Sequence, residues 1–263
     1  MKIYDKKLAY PYFVWMVLFT VVPLFIVVYY ALTDSTGSFT LDNLVTVSGY
    51  GSVFARSLLL ALVATVICLI IAFPVGYFLS RLRVNKQHIM LMLVMLPMWM
   101  NFLLRTYSWM AILENNGLLN QLFRKIGLIA LYNNIFGTDI SFFRMINTQG
   151  AVVLGMVYNY LPFMILPIYS VIVKLDHSLI EAARDLGANS VQVFRRVILP
   201  LSLPGVLSGI TMVFVPSVST FAISKMLGGG TEMLLGDLIE QQYMGGAYNP
   251  YLGAAISLSL IHI

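Results

Sequence analysis

The chain has 263 residues, of which 59% are hydrophobic and 10% are charged, with a formal net charge of +5. Soluble domains carry about 25% charged residues, so this composition excludes an ordinary soluble protein and indicates an integral membrane protein. Basic loops on one side of a membrane account for the positive charge without a nucleic-acid partner, and the single cysteine, Cys68, excludes a disulfide framework and a cysteine metal cluster.

Six apolar stretches follow one another along the chain, and a helical span across a bilayer needs roughly 20 apolar residues. The first five predicted spans cover residues 12–32, 57–79, 89–113, 150–173 and 203–223. A sixth begins at Tyr251 and runs out at Ile263, so we expect this last span to be truncated and the native gene to continue. The predicted fold is therefore an all-α integral membrane protein with a single transmembrane domain over residues 1–263.

The distribution of positive charge predicts the orientation of these spans. With the N-terminus inside, the inner segments contain ten of the sixteen basic residues: Lys2, Lys6, Lys7, Arg81, Arg83, Lys86, Lys174, Arg184, Arg195 and Arg196. The longer outer segments keep Arg56, Arg105, Arg124, Lys125, Arg144 and Lys225. Because basic residues concentrate in cytoplasmic loops, the N-terminus and the 174–200 loop are predicted to be cytoplasmic.

Prolines and glycines inside the spans predict their packing. Six prolines fall at membrane depth, namely Pro23, Pro74, Pro97, Pro162, Pro167 and Pro216. They indicate kinked helices around a pathway, or kinks that only improve packing. Small residues are expected to permit close contacts between helices at Gly155, Gly205, Ser208 and Gly209.

The predicted outer loop at 114–149 is rich in turn-forming residues with short apolar runs between them. We expect it to form one or two short helices on the outer membrane surface. The second outer loop, at 224–250, contains Asp237 and Glu240, which share a face if this segment is helical. With Tyr243 beyond them, that face is a candidate site for a cation, and the alternative is an ordinary solvated loop helix.

The cytoplasmic loop at 174–200 is a polar island between two apolar spans, and its pattern predicts two short helices joined at Gly187. Ser178 and Glu181 have the spacing of a capping box. Gly187 is expected to end the first helix in the left-handed conformation, Asn189 or Ser190 to cap the second, and Pro200 to end it. A folded pair of helices in a membrane loop indicates a docking element for another protein.

No catalytic constellation is found in the sequence. The three histidines, His88, His177 and His262, stand apart without metal-ligand spacing, and no phosphate-binding G-x-x-x-x-G-K-[ST] motif occurs. We therefore expect neither an enzyme nor a cofactor-binding chain, and any ATP must be bound by a separate polypeptide.

The 174–200 loop resembles the EAA loop of ABC-importer permeases, whose pattern is EAA, three residues, G, nine residues, I-x-L-P. The matching residues are Glu181, Ala182, Ala183, Gly187, Val197, Leu199 and Pro200, with Val197 replacing isoleucine. The resemblance implies a six-span type I permease domain in the bacterial inner membrane, whose coupling helix docks on an ATPase dimer. It also implies a second permease subunit and an extracytoplasmic substrate-binding protein as partners.

Further stretches are similar to spermidine/putrescine permeases. They are Leu96-Pro97-Met98-Trp99, residues 104–109, residues 161–169, residues 226–230 and residues 235–239. This resemblance implies a polyamine substrate, with Trp99, Tyr107 and Trp109 as candidate pathway residues. These aromatic residues are equally typical of an interfacial belt.

Other readings of the sequence remain open. The chain is alternatively a permease for another solute of the same family. A secondary transporter or channel would account for the kinked spans, yet it would leave the 174–200 loop without a role, and the spans contain few of the ionisable residues that mark ion relays. A membrane scaffold would need neither prolines nor glycines at membrane depth.

Overall fold

The computed structural model describes residues 10–230 and 233–262, which leaves the basic N-terminal residues Lys2, Lys6 and Lys7, and the last residue Ile263, outside the described part. In chain order its helices are α1 (Tyr10–Ala31), α2 (Asp42–Ser80), α3 (Val84–Trp99), α4 (Phe102–Leu113), α5 (Leu118–Lys125), α6 (Leu128–Phe136), α7 (Gln149–Ile172), α8 (His177–Asp185), α9 (Ser190–Val218), α10 (Ala222–Leu227), α11 (Leu235–Met244) and α12 (Pro250–His262). Within the described residues the only β-structure is an isolated bridge between Thr33 and Phe39, so the predicted all-α fold is confirmed.

Four of the described helices are long and apolar enough to cross a membrane. They are α1 with 22 residues, α2 with 39, α7 with 24 and α9 with 29. They correspond to the predicted first, second, fourth and fifth spans. The predicted sixth span corresponds to α12, an apolar helix of 13 residues.

The predicted third span is not one continuous helix. Its two halves, α3 and the helical stretch Phe102–Lys125, meet at 87°. Met100 has extended backbone angles, and the Asn101 side chain accepts hydrogen bonds from the backbone N–H groups of Leu103 at 2.8 Å and Leu104 at 3.4 Å. An asparagine that caps a helix in this way begins a new helix. The prediction of one continuous span over residues 89–113 was therefore wrong.

The predicted end of the fifth span was also wrong. The helix ends at Val218, and a separate short helix, α10, begins at Ala222. Pro216 in the last turn has no N–H to donate, and the Ser217 hydroxyl donates to the Val213 carbonyl at 2.7 Å. Both effects weaken the continuation of the helix, although the residues that follow are apolar enough to have been counted in the span.

The described chain divides into two compact units. The first comprises the N-terminal segment up to Ala55 and the chain from Leu235 onward, and the second comprises Arg56–Leu234. The prediction of a single permease domain over residues 1–263 stays a prediction.

In the first unit, α12 packs against α1, α11 and the beginning of α2. The rings of Tyr30 and Tyr251 lie 5.3 Å apart, and the Asn43 amide donates to the carbonyl of Thr33 at 2.9 Å. These contacts hold the turn after α1 beside the start of α2.

In the second unit, α7 is the central helix and packs along α9. The buried side chains between α2, α7 and α9 include Cys68, Met164, Ile168 and Val213. A second buried cluster joins α2, α7 and α10.

Close helix contacts occur at three of the predicted glycines. A Cβ atom at Gly155 would stand 2.5 Å from Leu227, and one at Gly209 would stand 2.6 Å from Met164. At Gly205 the nearest atom is a backbone oxygen of α7. Such distances are shorter than real Cβ contacts, so the prediction that these glycines permit close approach is confirmed.

Candidate functional site

The first helix of the 174–200 loop, α8, begins at His177 rather than at the predicted capping box. The Asp176 carboxylate accepts a hydrogen bond from the Ser178 N–H at 2.9 Å, which makes Asp176 the N-cap. The capping box at Ser178 and Glu181 was therefore wrong. Asp176 and Ser178 are about equally good caps, and the extended backbone at Asp176 decides between them.

The predicted joint at Gly187 is confirmed. Gly187 has a φ of 83°, its N–H donates to the Arg184 carbonyl at 2.8 Å, and the Ala188 N–H donates to the Ala183 carbonyl at 3.0 Å. This pair of bonds is a Schellman motif, which ends a helix with a left-handed residue, usually glycine. The loop therefore turns sharply after α8 and leads directly into α9.

The second helix of the loop is not short. Asn189 caps it, as predicted, in a capping box with Gln192, with both bonds between 2.8 and 2.9 Å. The predicted end at Pro200 was wrong, because α9 continues through this proline to Val218. A π turn at Phe194–Ile198 precedes Pro200 and changes the hydrogen-bond register where the proline ring would otherwise crowd the preceding turn.

A small apolar cluster holds α8 against the start of α9. Ile180, Val193 and Ile198 are buried together, and Ala183 packs against them. Phe194 also contacts α2, since its ring lies 5.5 Å from Phe73 at an interplanar angle of 81°. The loop is therefore packed onto the second and fifth spans.

The outward face of α8 carries charged and small side chains, and a large apolar side chain follows directly at its C-terminal end. Glu181 and Ala182 are exposed, and the Leu186 side chain is 89% exposed. Below this leucine, a groove of about 310 Å³ is lined by Ala183, Leu186, Gly187, Ala188, Gln192, Arg196 and Val197. Leu199 and Pro200, one turn beyond the groove, are exposed at the surface of α9. The structure thus brings Ala183, Gly187 and Val197 of the EAA pattern together in this groove, and the other residues of the pattern are exposed outside its lining.

Gln87 is a buried polar residue near this loop that the sequence reasoning missed. Its amide N–H groups donate to the carbonyls of Ser80 at 3.2 Å and Leu82 at 2.8 Å, and its carbonyl accepts from the Tyr169 hydroxyl at 3.0 Å. Gln87 therefore ties the turn between α2 and α3 to the central helix α7. A glutamine beside a basic loop carries no sequence signal of such a role.

The candidate pathway residues of the third span lie on two different helices. Trp99 is exposed at the end of α3, whereas Tyr107 is exposed on α4. Trp109 is half-buried on α4 and makes an edge contact with Tyr158 of α7, with ring centroids 5.4 Å apart. The structure does not gather these three side chains at one point, and their role in the pathway stays a prediction.

Arg105 also belongs to α4 and not to an outer loop, where the sequence reasoning counted it. It is 8% exposed, and neither Nε nor Nη1 of its guanidinium has a hydrogen-bond partner in the described chain. An arginine inside an apolar stretch is the sequence signal that would have identified it.

The acidic candidates lie on α11, in the first unit. Asp237 is buried, Glu240 is half-buried, and Tyr243 is exposed at the end of the same helix. Their predicted spacing along a helix is confirmed, and the burial of Asp237 disagrees with an ordinary solvated loop helix. Whether they meet the substrate stays a prediction.

Comparisons with known proteins show the family of the chain. Residues 6–263 match the family model described as binding-protein-dependent transport system inner membrane component. The chain is 36% identical over 256 residues to the spermidine/putrescine transport system permease protein PotB of Haemophilus influenzae, covering 94% of this chain and 86% of that protein. It is 38% identical over 254 residues to the PotB of Escherichia coli, covering 94% and 88%.

Solved structures share the fold. A crystal structure of a bacterial ABC transporter that imports the acidic polysaccharide alginate matches with a TM-score of 0.69 at 16% identity, covering 98% of this chain and 90% of that one. The MetNI methionine ABC transporter, in an inward-facing conformation, matches with a TM-score of 0.53 at 20% identity, covering 80% and 87%. The chain therefore belongs to the family of binding-protein-dependent transport system inner membrane components, the permeases of ABC importers.

Proposed function

We propose that this chain forms part of the translocation pathway of an importer and that a separate ATPase dimer drives it through the 174–200 loop. The observation that carries this proposal is the geometry of α8. Its inner side is fixed by the buried Ile180, Ala182 is exposed, and Leu186, directly after the helix, is exposed at the edge of an open groove. A short helix with small and apolar exposed residues is suited to lie in a groove of a partner.

The coupling step is a rigid-body movement. When two ATPases close on ATP, a helix docked between them moves, and α8 transmits this movement to α9 through the Ile180, Val193 and Ile198 cluster. The spans then change from an inward-facing to an outward-facing arrangement. ATP binds to the partner, so this chain needs no cofactor of its own.

The complete importer contains further partners. A second permease closes the pathway, and an extracytoplasmic binding protein delivers the substrate; one related structure is described as an alginate transporter in complex with its substrate-bound periplasmic protein. We place the N-terminus and the 174–200 loop in the cytoplasm, because most basic residues then lie inside.

Polyamines are the proposed substrates. Two relatives at 36% and 38% identity are spermidine/putrescine permeases, and they align with 94% of this chain. The acidic face of α11, with Tyr243 at its end, offers groups that attract a cation. A related Escherichia coli permease, YdcU, is 30% identical over 208 residues, and its name specifies no solute, so another substrate of the same family is the alternative.

The test is uptake of labelled putrescine and spermidine in cells that lack their own polyamine importer and express this chain with its partners. Sugars, phosphate, iron(III) and amino acids serve as competitors. We expect uptake that unlabelled polyamines abolish and the other solutes do not. Uptake of one of the competitors without polyamine uptake would show that the chain belongs to an importer of another solute in the same family.

The requirement for partners is tested in the same cells. Leaving out the second permease, the ATPase or the binding protein, one at a time, should abolish uptake. Transport by this chain alone would contradict the proposed assembly and would favour a secondary transporter.

A further inference from the structure

The segment between the third and fourth spans forms a hairpin of two short helices, α5 and α6, which turn at Gly127 with a φ of 75°. Each helix exposes a stripe of large aliphatic side chains at helical spacing. These are Leu118 and Leu122 on α5, Ile126 directly after it, and Leu131 and Ile135 on α6, each between 51% and 67% exposed. The stripes form the outward surface of the hairpin.

The inner side of the hairpin combines the apolar Leu119 and Ile129 with two asparagines. Asn120 is fully buried, donates to the Phe143 carbonyl at 3.0 Å and accepts from the Phe143 N–H at 2.9 Å. On α6, Asn133 makes the same two-way contact with Ile140, at 2.9 and 3.1 Å. These two asparagines hold the returning chain, residues 140–143, against the two helices of the hairpin.

Aromatic rings complete the inner side. Phe123 of α5 and Tyr132 of α6 both contact Phe143 edge to face, with centroids 5.8 and 5.2 Å apart. Amides, rings and the aliphatic side chains of Leu119 and Ile129 thus make the inner contacts, while the five aliphatic side chains of the stripes point away. A helix whose outer side faces water normally presents polar side chains there instead.

We propose that the α5–α6 hairpin lies in the interface of the phospholipid bilayer, with its aliphatic stripes among the acyl chains. The hairpin is joined to α4 on one side and to the spanning helix α7 on the other, so it is held at the membrane surface. Lys125 lies on α5 beside Leu122, where its ammonium group can reach lipid phosphates while its stem stays apolar. Charge and apolar surface therefore point to the same lipid partner.

A lipid partner explains the composition of this surface better than a protein partner does. Protein interfaces are enriched in tyrosine, tryptophan, methionine and arginine, and leucine is under-represented among residues that dominate their binding energy. The exposed large apolar side chains of α5 and α6 and of Ile126 between them are leucine and isoleucine, with Phe136 at the end of α6 as the one aromatic residue more than half exposed. The nearby Arg124 is engaged in the hairpin itself, since its Nε donates to the Ser141 carbonyl at 2.9 Å.

Anchoring the hairpin has a consequence for the third span. Asn120 also donates to the carbonyl of Glu114, the residue that follows α4, at 3.2 Å. The outer half of the broken span is therefore tied to a membrane-anchored element. This inference concerns anchoring in lipid and does not depend on the substrate or on the ATPase.

Site-directed spin labelling tests the proposal in the assembled importer, in nanodiscs of phosphatidylethanolamine and phosphatidylglycerol. With Cys68 replaced by alanine, single cysteines are introduced as Leu122→Cys and Ile135→Cys, and as the control Asn134→Cys, an exposed polar neighbour on α6. Collision rates are measured with oxygen, which enters the acyl region, and with a water-soluble nickel chelate. We expect oxygen collisions to dominate at 122 and 135 and nickel collisions to dominate at 134.

Two results would overturn the proposal. Dominant nickel collisions at 122 and 135 would show that the stripes face water. Low collision rates with both reagents would show that another protein covers them, and repeating the measurement with and without the binding protein would tell whether that protein is the cover. If a labelled variant fails to assemble, Leu118→Cys and Leu131→Cys probe the same two stripes. Polyamine uptake is measured separately, so a failure here leaves the proposed function intact.

Discussion

Gly205 lies so close to Pro167 that a Cβ atom on the glycine would stand 2.7 Å from the proline's carbonyl oxygen. The contact joins α9 and α7 backbone to backbone, and the Val171 side chain stands only 3.0 Å from the same point. A backbone oxygen cannot move aside as a flexible side chain can. The spacing between the fourth and fifth spans is therefore set by the absence of a side chain at this position.

Gly205→Ala should destabilise the protein, because the added methyl group forces α7 and α9 apart. Overpacking of this kind costs about 1–3 kcal/mol. The thermal midpoint of the detergent-solubilised complex should fall. Gly150→Ala is the matched control on α7, since its new Cβ would meet only the Thr148 hydroxyl, at 3.7 Å. Equal midpoints for the two variants would contradict the argument.

Gly187→Val should impair coupling and leave insertion in the membrane unchanged. A Cβ at Gly187 meets no atom within 4 Å, so the cost is the left-handed backbone, about 1–2 kcal/mol. We expect a normal amount of the variant in the membrane, with reduced uptake and reduced co-purification of the ATPase. Gly187→Asn is the control, because asparagine tolerates this conformation. Uptake by the valine variant at the wild-type rate would show that the left-handed conformation at Gly187 is not needed for coupling.

Gln87→Leu should lower thermal stability more than Tyr169→Phe. The first variant removes three hydrogen bonds and leaves two turn carbonyls without their amide donor, whereas the second removes only the hydroxyl bond to Gln87. At roughly 1 kcal/mol for each bond, the difference is measurable as a shift in thermal midpoint. The reverse order would show that the turn between α2 and α3 is not held by Gln87.

Asp237→Asn and Glu240→Gln should affect two different properties, the amount of protein in the membrane and the KM for uptake. Asp237 is buried in the first unit, so its neutral variant is expected to reduce the amount of protein in the membrane. Glu240 is half-buried, so Glu240→Gln should leave that amount unchanged and raise the KM for polyamine uptake. Quantitative immunoblots and uptake kinetics separate the two effects. An unchanged KM for Glu240→Gln would show that Glu240 does not contribute to substrate binding in the pathway.

Much of the fold was predictable because the apolar stretches are long and because glycines mark the helix ends and the close helix contacts. The fourth span at 150–173 differs from α7, Gln149–Ile172, by one residue at each end. Gly187 was predictable because only glycine adopts the left-handed conformation at little cost. The close contact at Gly205 was predictable because small residues are the ones that allow helices to approach.

The third span was wrong because hydropathy does not report the direction of the backbone. Asn101 begins a new helix inside an apolar run, and its amide was the available signal. Pro200 was expected to end a helix, yet the π turn before it changes the register, and such a turn has no simple sequence pattern. The groove at Leu186 and the exposed aliphatic stripes of α5 and α6 depend on tertiary packing.

The helix that begins in the 174–200 loop at Ser190 continues as the fifth span to Val218 over 29 residues. At 1.5 Å per residue it is a single rod of about 43 Å. A continuous helix passes a displacement at one end to the other, so the far end tilts with it. Its regular hydrogen bonds are interrupted at the π turn at Phe194–Ile198, next to Phe73 of α2, and at Pro204 and Pro216. If the proposed coupling holds, stiffening or loosening the π turn would change how far a displacement of the loop is carried across the membrane.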